Sequence, residues 1–106
     1  MRNLVWSPAE KRVARPAFNR ALEQEFERVI RETKERAAKI REVQDLWKLE
    51  DWLGERRREI DQRFDYRYSV LPEVFGLLVR DGRLKEDDLQ GLGEDKLDFI
   101  RRIAGF

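Results

Sequence analysis

Residues Asp45–Phe75, DLWKLEDWLGERRREIDQRFDYRYSVLPEVF, decide how this chain is read. Apolar residues recur there at helical spacing, charges of both signs alternate closely, and two tryptophans, Trp47 and Trp52, lie five apart. Five residues turn an α-helix by well over one revolution, so the two indoles leave the helix in different directions. Trp47 and Asp51 share a face. Asp51 and Arg57, six apart, do not, so a pairing between them has to cross a helix break at Gly54 or a subunit boundary. We favour the subunit boundary, because the apolar seam lacks enough partners within one chain.

Upstream, Ser7-Pro8-Ala9-Glu10 forms a helix start, with Ser7 as cap, Pro8 where its missing amide costs nothing, and Glu10 closing a capping box. Pro16 predicts a break or kink and a fresh start. From Pro16 to about Leu53 nothing in the composition stops a helix. Phe26, Val29, Thr33, Arg36, Ile40, Val43 and Trp47 trace a seam in steps of three and four. Thr33 and Arg36 interrupt that seam, which favours a shorter helix pair over a long coiled coil. Gln44-Asp45 is a further point of interruption, with Asp45 able to cap a new helix.

Downstream, Asp65–Ser69 reads as a turn and Leu71-Pro72 as a helix start. Asp81-Gly82 reads as a stop after the most apolar run of the chain. Helices are expected over Leu84–Leu92 and Glu94–Ile103, with acidic residues in their first turns and Arg101-Arg102 closing the second. The fold class is therefore all-α. A long helical stalk (residues 1–64) leads into a small helical head (residues 65–106), within one structural domain that forms a homodimer through its long helices.

Composition narrows the function. The 106 residues hold 23 Lys plus Arg against 22 Asp plus Glu, and no His or Cys. That removes the commonest general base and the usual zinc and thiol sites. Ser7, Thr33 and Ser69 are the only hydroxyl nucleophiles of their type. A thin stalk offers no concave pocket for a carboxylate pair. Glu86-Asp87-Asp88 reads as helix-dipole complementation rather than a metal site, and no glycine-rich phosphate loop is present. We expect no enzyme activity, no cofactor and no metal.

The near-neutral charge of each half argues against nucleic acid as partner, and Arg56-Arg57-Arg58 is flanked by Glu55, Glu59 and Asp61. No apolar run reaches the roughly 20 residues that span a bilayer. With no signal-peptide core at the N-terminus and no cysteine, the expectation is a cytoplasmic protein.

The segment from Asp45-Leu-Trp-Lys-Leu to Asp65-Tyr-Arg-Tyr-Ser-Val-Leu resembles the fluorescence recovery protein family of cyanobacteria. The likeness is strongest over Asp45–Leu71 and weaker through the head. It implies an all-helical homodimer, not an enzyme, that binds the photoactivated orange carotenoid protein, mainly through that protein's C-terminal domain. Such a protein speeds red-to-orange reversion and restores phycobilisome fluorescence, and associates with thylakoids through its partner. The alternative is a dimeric helical adaptor with a different protein partner, in an organism without the carotenoid system.

The resemblance places the dimer and partner-binding cluster on Trp47, Asp51 and Arg57, and head contacts on Glu73, Phe75 and Phe99. This chain departs from the family pattern at Glu50, where a histidine is usual, at Glu73, usually aromatic, and at Phe99, usually lysine. A glutamate in place of an apolar docking residue loses buried area and adds a charge to be desolvated.

Overall fold

The computed structural model describes residues 4–105; residues 1–3 and 106, at the outer ends of the expected stalk and head, lie outside the described residues. Four α-helices, α1 (Pro8–Ala38), α2 (Val43–Arg63), α3 (Leu71–Arg80) and α4 (Glu94–Ala104), follow one another with a 3₁₀ turn at Glu86–Leu89 between the last two. No strand occurs among the described residues. The molecule measures 53 × 25 × 24 Å, with a radius of gyration of 16.7 Å. A compact domain of this size would have about 13 Å, so the chain is elongated.

α1 begins where its capping box places it. The Ser7 hydroxyl accepts from the Glu10 amide at 3.1 Å and the Glu10 carboxylate from the Ser7 amide at 2.9 Å. The break expected at Pro16 is absent, and α1 runs through it for 31 residues. Pro16 itself is exposed, so water can satisfy the carbonyl it leaves without an amide, while Ala14, Ala17, Phe18 and Ala21 are buried around it. That burial holds the backbone helical against a penalty of roughly 3 kcal/mol.

The uninterrupted helix allowed from Pro16 to Leu53 does not form either. The chain leaves α1 after Ala38 and folds back as α2 from Val43. Asp45 secures the bend by accepting from the Arg41 and Glu42 amides at 3.1 and 3.2 Å. These bonds, more than the charge of Lys48, hold its carboxyl below the usual range. Gly54 lies inside α2 without interrupting it.

The head is not confined to residues 65–106 as expected but is built from both ends of the chain. Trp6 and the buried alanines and Phe18 of α1 share one core with Leu71, Val74, Phe75 and Leu78 of α3, Leu84, Leu89 and Leu92 of the connection, and Ile100 of α4. α3 and α4 pack so closely that a Cβ on Gly76 would lie 2.5 Å from that of Ile103. The helix expected over Leu84–Leu92 shrinks to the 3₁₀ turn. Leu84 and Leu89 are both buried although five residues apart, a spacing no single α-helical face provides. Gly91, at φ 106°, then reverses the chain beside Val13 of α1.

Candidate partner-binding surfaces

The stalk presents the first surface. Of α2's 21 residues only Ile60 is buried. Trp52 turns toward α1, where the Arg36 guanidinium lies 4.3 Å from its ring and is itself held by Glu32 at 3.0 Å. Trp47 points elsewhere and is 50% exposed, beside Val43 at 56% and Leu46 at 45%. Leu53 continues this stripe along α2, while Phe26 and Ile30 expose apolar surface on α1. Such a row of large exposed apolar side chains is a candidate contact surface.

Asp51 and Arg57 are exposed and enter no ion pair among the described residues. Their surroundings differ from those of Arg56, which pairs with Glu59, and Arg63, which pairs with Asp81 of the head. Phe26, Val29, Leu53, Arg56, Arg57, Ile60 and Asp61 line a groove of about 400 Å³ between the two stalk helices.

In the head, Glu73 is exposed in the first turn of α3 and Phe99 is half-buried on α4, with Arg102 5.9 Å from its ring. Phe75, expected among the head contacts, is fully buried and belongs to the core. The correction follows from α3's stripe: Leu71, Val74, Phe75 and Leu78 fall at the spacing of one inward face, whereas Glu73 lies off it.

Sequence reading missed how the chain's two ends are tied. Lys96 is 2% exposed, and its ammonium lies 2.9 Å from Glu10 Oε2 and donates to the Val5 carbonyl at 2.6 Å. The same Glu10 oxygen accepts from the Gly93 amide at 2.8 Å. Burial pushes the Glu10 carboxyl up, but the Ser7 and Gly93 amides together with Lys96 outweigh it and hold its pKa at about 2. Nothing at Lys96 signals this in sequence except its place on the inward face of α4, three residues after Gly93.

Also unread was an aromatic row in the head. Trp6 stacks obliquely on Tyr68 at 5.4 Å, Tyr68 meets Tyr66 at 5.4 Å, and Tyr66 meets Phe18 at 4.9 Å. The Trp6 indole N–H donates to the Tyr68 carbonyl at 3.1 Å. Burial, then the neighbouring Tyr68 hydroxyl, pushes the Tyr66 phenol up to about 12.

The architecture is that of an all-helical protein, a helical hairpin carrying a helical head, with large apolar side chains displayed along the outside of the hairpin. Comparison with known proteins makes the assignment specific. The profile of the photoprotection regulator fluorescence recovery protein matches residues 6–104. The chain is 35% identical over 99 residues to the fluorescence recovery protein of Synechocystis sp. PCC 6803, covering 93% of this chain and 91% of that one.

Solved structures of the fluorescence recovery proteins of Fremyella diplosiphon and Synechocystis each superpose with a TM-score of 0.91, at 40% and 34% identity. Each covers 96% of this chain and is itself covered completely. The chain belongs to the fluorescence recovery protein family of photoprotection regulators.

Proposed function

We propose that this chain is a dimeric, non-catalytic regulator that binds the photoactivated orange carotenoid protein. It accelerates that protein's red-to-orange reversion and so restores phycobilisome fluorescence. Family membership supports the partner; the exposed stripe on α2 supports the dimer and carries the reading.

Asp51 and Arg57 lie equally far from Gly54 along α2, as do Glu50 and Arg58. Two copies of α2 running antiparallel about a two-fold axis at Gly54 therefore set acid level with guanidinium on both sides. Within the chain a Cβ on Gly54 would meet only the Arg58 side chain, at 3.5 Å, so no intrachain contact requires a glycine there. Close approach of a second backbone gives it a reason. In the same register Trp47 of one copy lies level with Asp61 of the other, at the groove between the stalk helices. An indole filling such a groove is a typical interface anchor.

Binding accelerates reversion only through preference for the barrier state or a compact intermediate over the open red form. Tenfold acceleration needs about 1.4 kcal/mol of that preference. Glu73 and Phe99 are the head residues placed to contribute. Phe75 acts by holding α3 in position. The protein works in the cytoplasm, at the thylakoid surface through its partner.

The test is to photoactivate orange carotenoid protein, add this protein in the dark and follow the red-to-orange absorbance change. A faster return supports the reading; an unchanged rate across a range of protein concentrations rejects it. In that case the adaptor reading, the same dimer serving another protein, takes its place.

A further inference from the structure

The near-cancellation of charge along this chain breaks down on its basic side near the start of α1. Between Lys11 and Leu22 there are four basic residues and no acidic one. Arg20 reaches Asp88 at 3.8 Å, but Lys11, Arg12 and Arg15 enter no ion pair among the described residues, and all three are exposed. The nearest carboxylate in sequence, Glu10, points inward and is consumed by Lys96 and two backbone amides.

Lys11 and Arg15 are also held in place. The Lys11 ammonium lies 4.9 Å from the centre of the Tyr68 ring and the Arg15 guanidinium 4.2 Å from that of Tyr66. Cations resting on aromatic faces keep their charge and lose less freedom when an anion arrives. Arg67, beside these rings, is already neutralised by Asp65 at 2.6 Å. One turn of α1 thus displays three free cations, two of them anchored on an aromatic row.

We infer that the ridge of Lys11, Arg12 and Arg15 is a docking surface for a carboxylate-bearing segment of a protein partner. Lys11 and Arg15, four residues apart, stand about 6 Å from each other along the helix. Two carboxylates on successive turns of a partner helix match that spacing.

A long polyanion fits the head poorly. Residues 86–98 carry six carboxylates, Glu86, Asp87, Asp88, Glu94, Asp95 and Asp98, and the whole chain has a net charge of only +1. A nucleic acid extending beyond the ridge meets that acidic side of the head, whereas a short acidic segment engages the cations alone. The inference stands apart from the carotenoid-protein reading and holds whichever protein the head meets.

The experiment is an NMR titration of the full chain with a capped helical peptide bearing glutamates four residues apart. Its glutamine counterpart and a short single-stranded DNA serve as comparisons. Saturable shifts are expected at residues 11–15 and on the Tyr66 and Tyr68 rings, with affinity falling about tenfold between about 0.05 and 0.3 M salt. K11Q/R15Q should weaken binding at least tenfold with its melting temperature unchanged. K34Q/K39Q, at the far end of the stalk, should leave binding as it was. Absence of binding, equal binding by the glutamine peptide or by K11Q/R15Q, or tighter binding of the DNA would each overturn the inference.

Discussion

Glu10 and Lys96, 86 residues apart in sequence, meet at 2.9 Å inside the head, and the lysine ammonium is almost completely shielded from solvent. The pair joins the first turn of α1 to α4. It is completed by the Val5 carbonyl and the Asp95 carboxylate at the ammonium and by the Ser7 and Gly93 amides at the carboxylate, and is capped by the Trp6 ring 5.1 Å from the ammonium. Each hydrogen-bonding group of the pair is therefore matched.

Removing one member strands the other. Lys96→Ala leaves a buried carboxylate without its counter-ion and should cost about 3–5 kcal/mol, read as a lower midpoint in denaturant. Lys96→Met together with Glu10→Gln removes both charges and should recover much of that loss. Equal destabilisation by the single and double variants would show that packing, not charge, dominates the site.

The same pair sets an acid limit. Glu10 has a folded pKa of about 2 against 4.5 for the free group, so its contribution is fully present above about 4.5 and lost as pH falls toward 2. At about 1.4 kcal/mol per tenfold change in proton affinity, this amounts to at most about 3–4 kcal/mol. Denaturant midpoints measured from pH 6 down to pH 3 should fall for the wild type and change less for Glu10→Gln.

Phe75 and Glu73 are near neighbours with opposite roles. Phe75→Ala opens a cavity at the centre of the head and should cost about 3–5 kcal/mol. Glu73→Ala, on the exposed side of α3, should stay within about 0.5 kcal/mol of wild type. Denaturation curves separate the two, and carotenoid-protein binding by Glu73→Ala then reports on contact without a folding defect.

Charge reversal tests the stalk pairing. Asp51→Arg should weaken the dimer at least tenfold by placing like charges together, and Asp51→Arg with Arg57→Asp should restore it. Molar mass by light scattering across a dilution series measures both. A wild-type chain that stays at 12.8 kDa at every concentration removes the dimer from the proposal.

α2 should depend on association for its order. With Ile60 as its only buried side chain it gains little from its own chain, and most helical stability in proteins comes from tertiary packing of an apolar face. Hydrogen exchange should therefore accelerate across residues 43–59 on dilution below the dimer's dissociation range, while α3 and α4 stay protected. Uniform exchange in both regimes would show that α1 alone suffices to hold α2.

The starts and stops were legible because they are local. Ser7 to Glu10, Leu71-Pro72 and Asp81-Gly82 each specify backbone hydrogen bonding within a few residues, and the helices begin or end where those signals stand. Gly105, in the left-handed region at φ 92°, closes α4 in the same way. The divergence of the two stalk indoles was legible too: the angular separation of Trp47 and Trp52 follows from helix geometry alone, and Trp52 faces α1 while Trp47 is left exposed.

What the sequence by itself determined is the all-helical character, most helix ends and the amphipathic stripes, since these depend on contacts between residues close along the chain. Tertiary structure decided the rest. It carried α1 straight through Pro16, because burial of Ala14, Ala17 and Phe18 outweighs a missing amide. It folded the stalk back at residues 39–42: the interruption that Asp45 caps was legible, but not the direction in which α2 returns along α1. It sent Phe75 inward and brought Glu10 to Lys96, because which face a helix buries depends on the elements that close over it, and those lie far away in sequence.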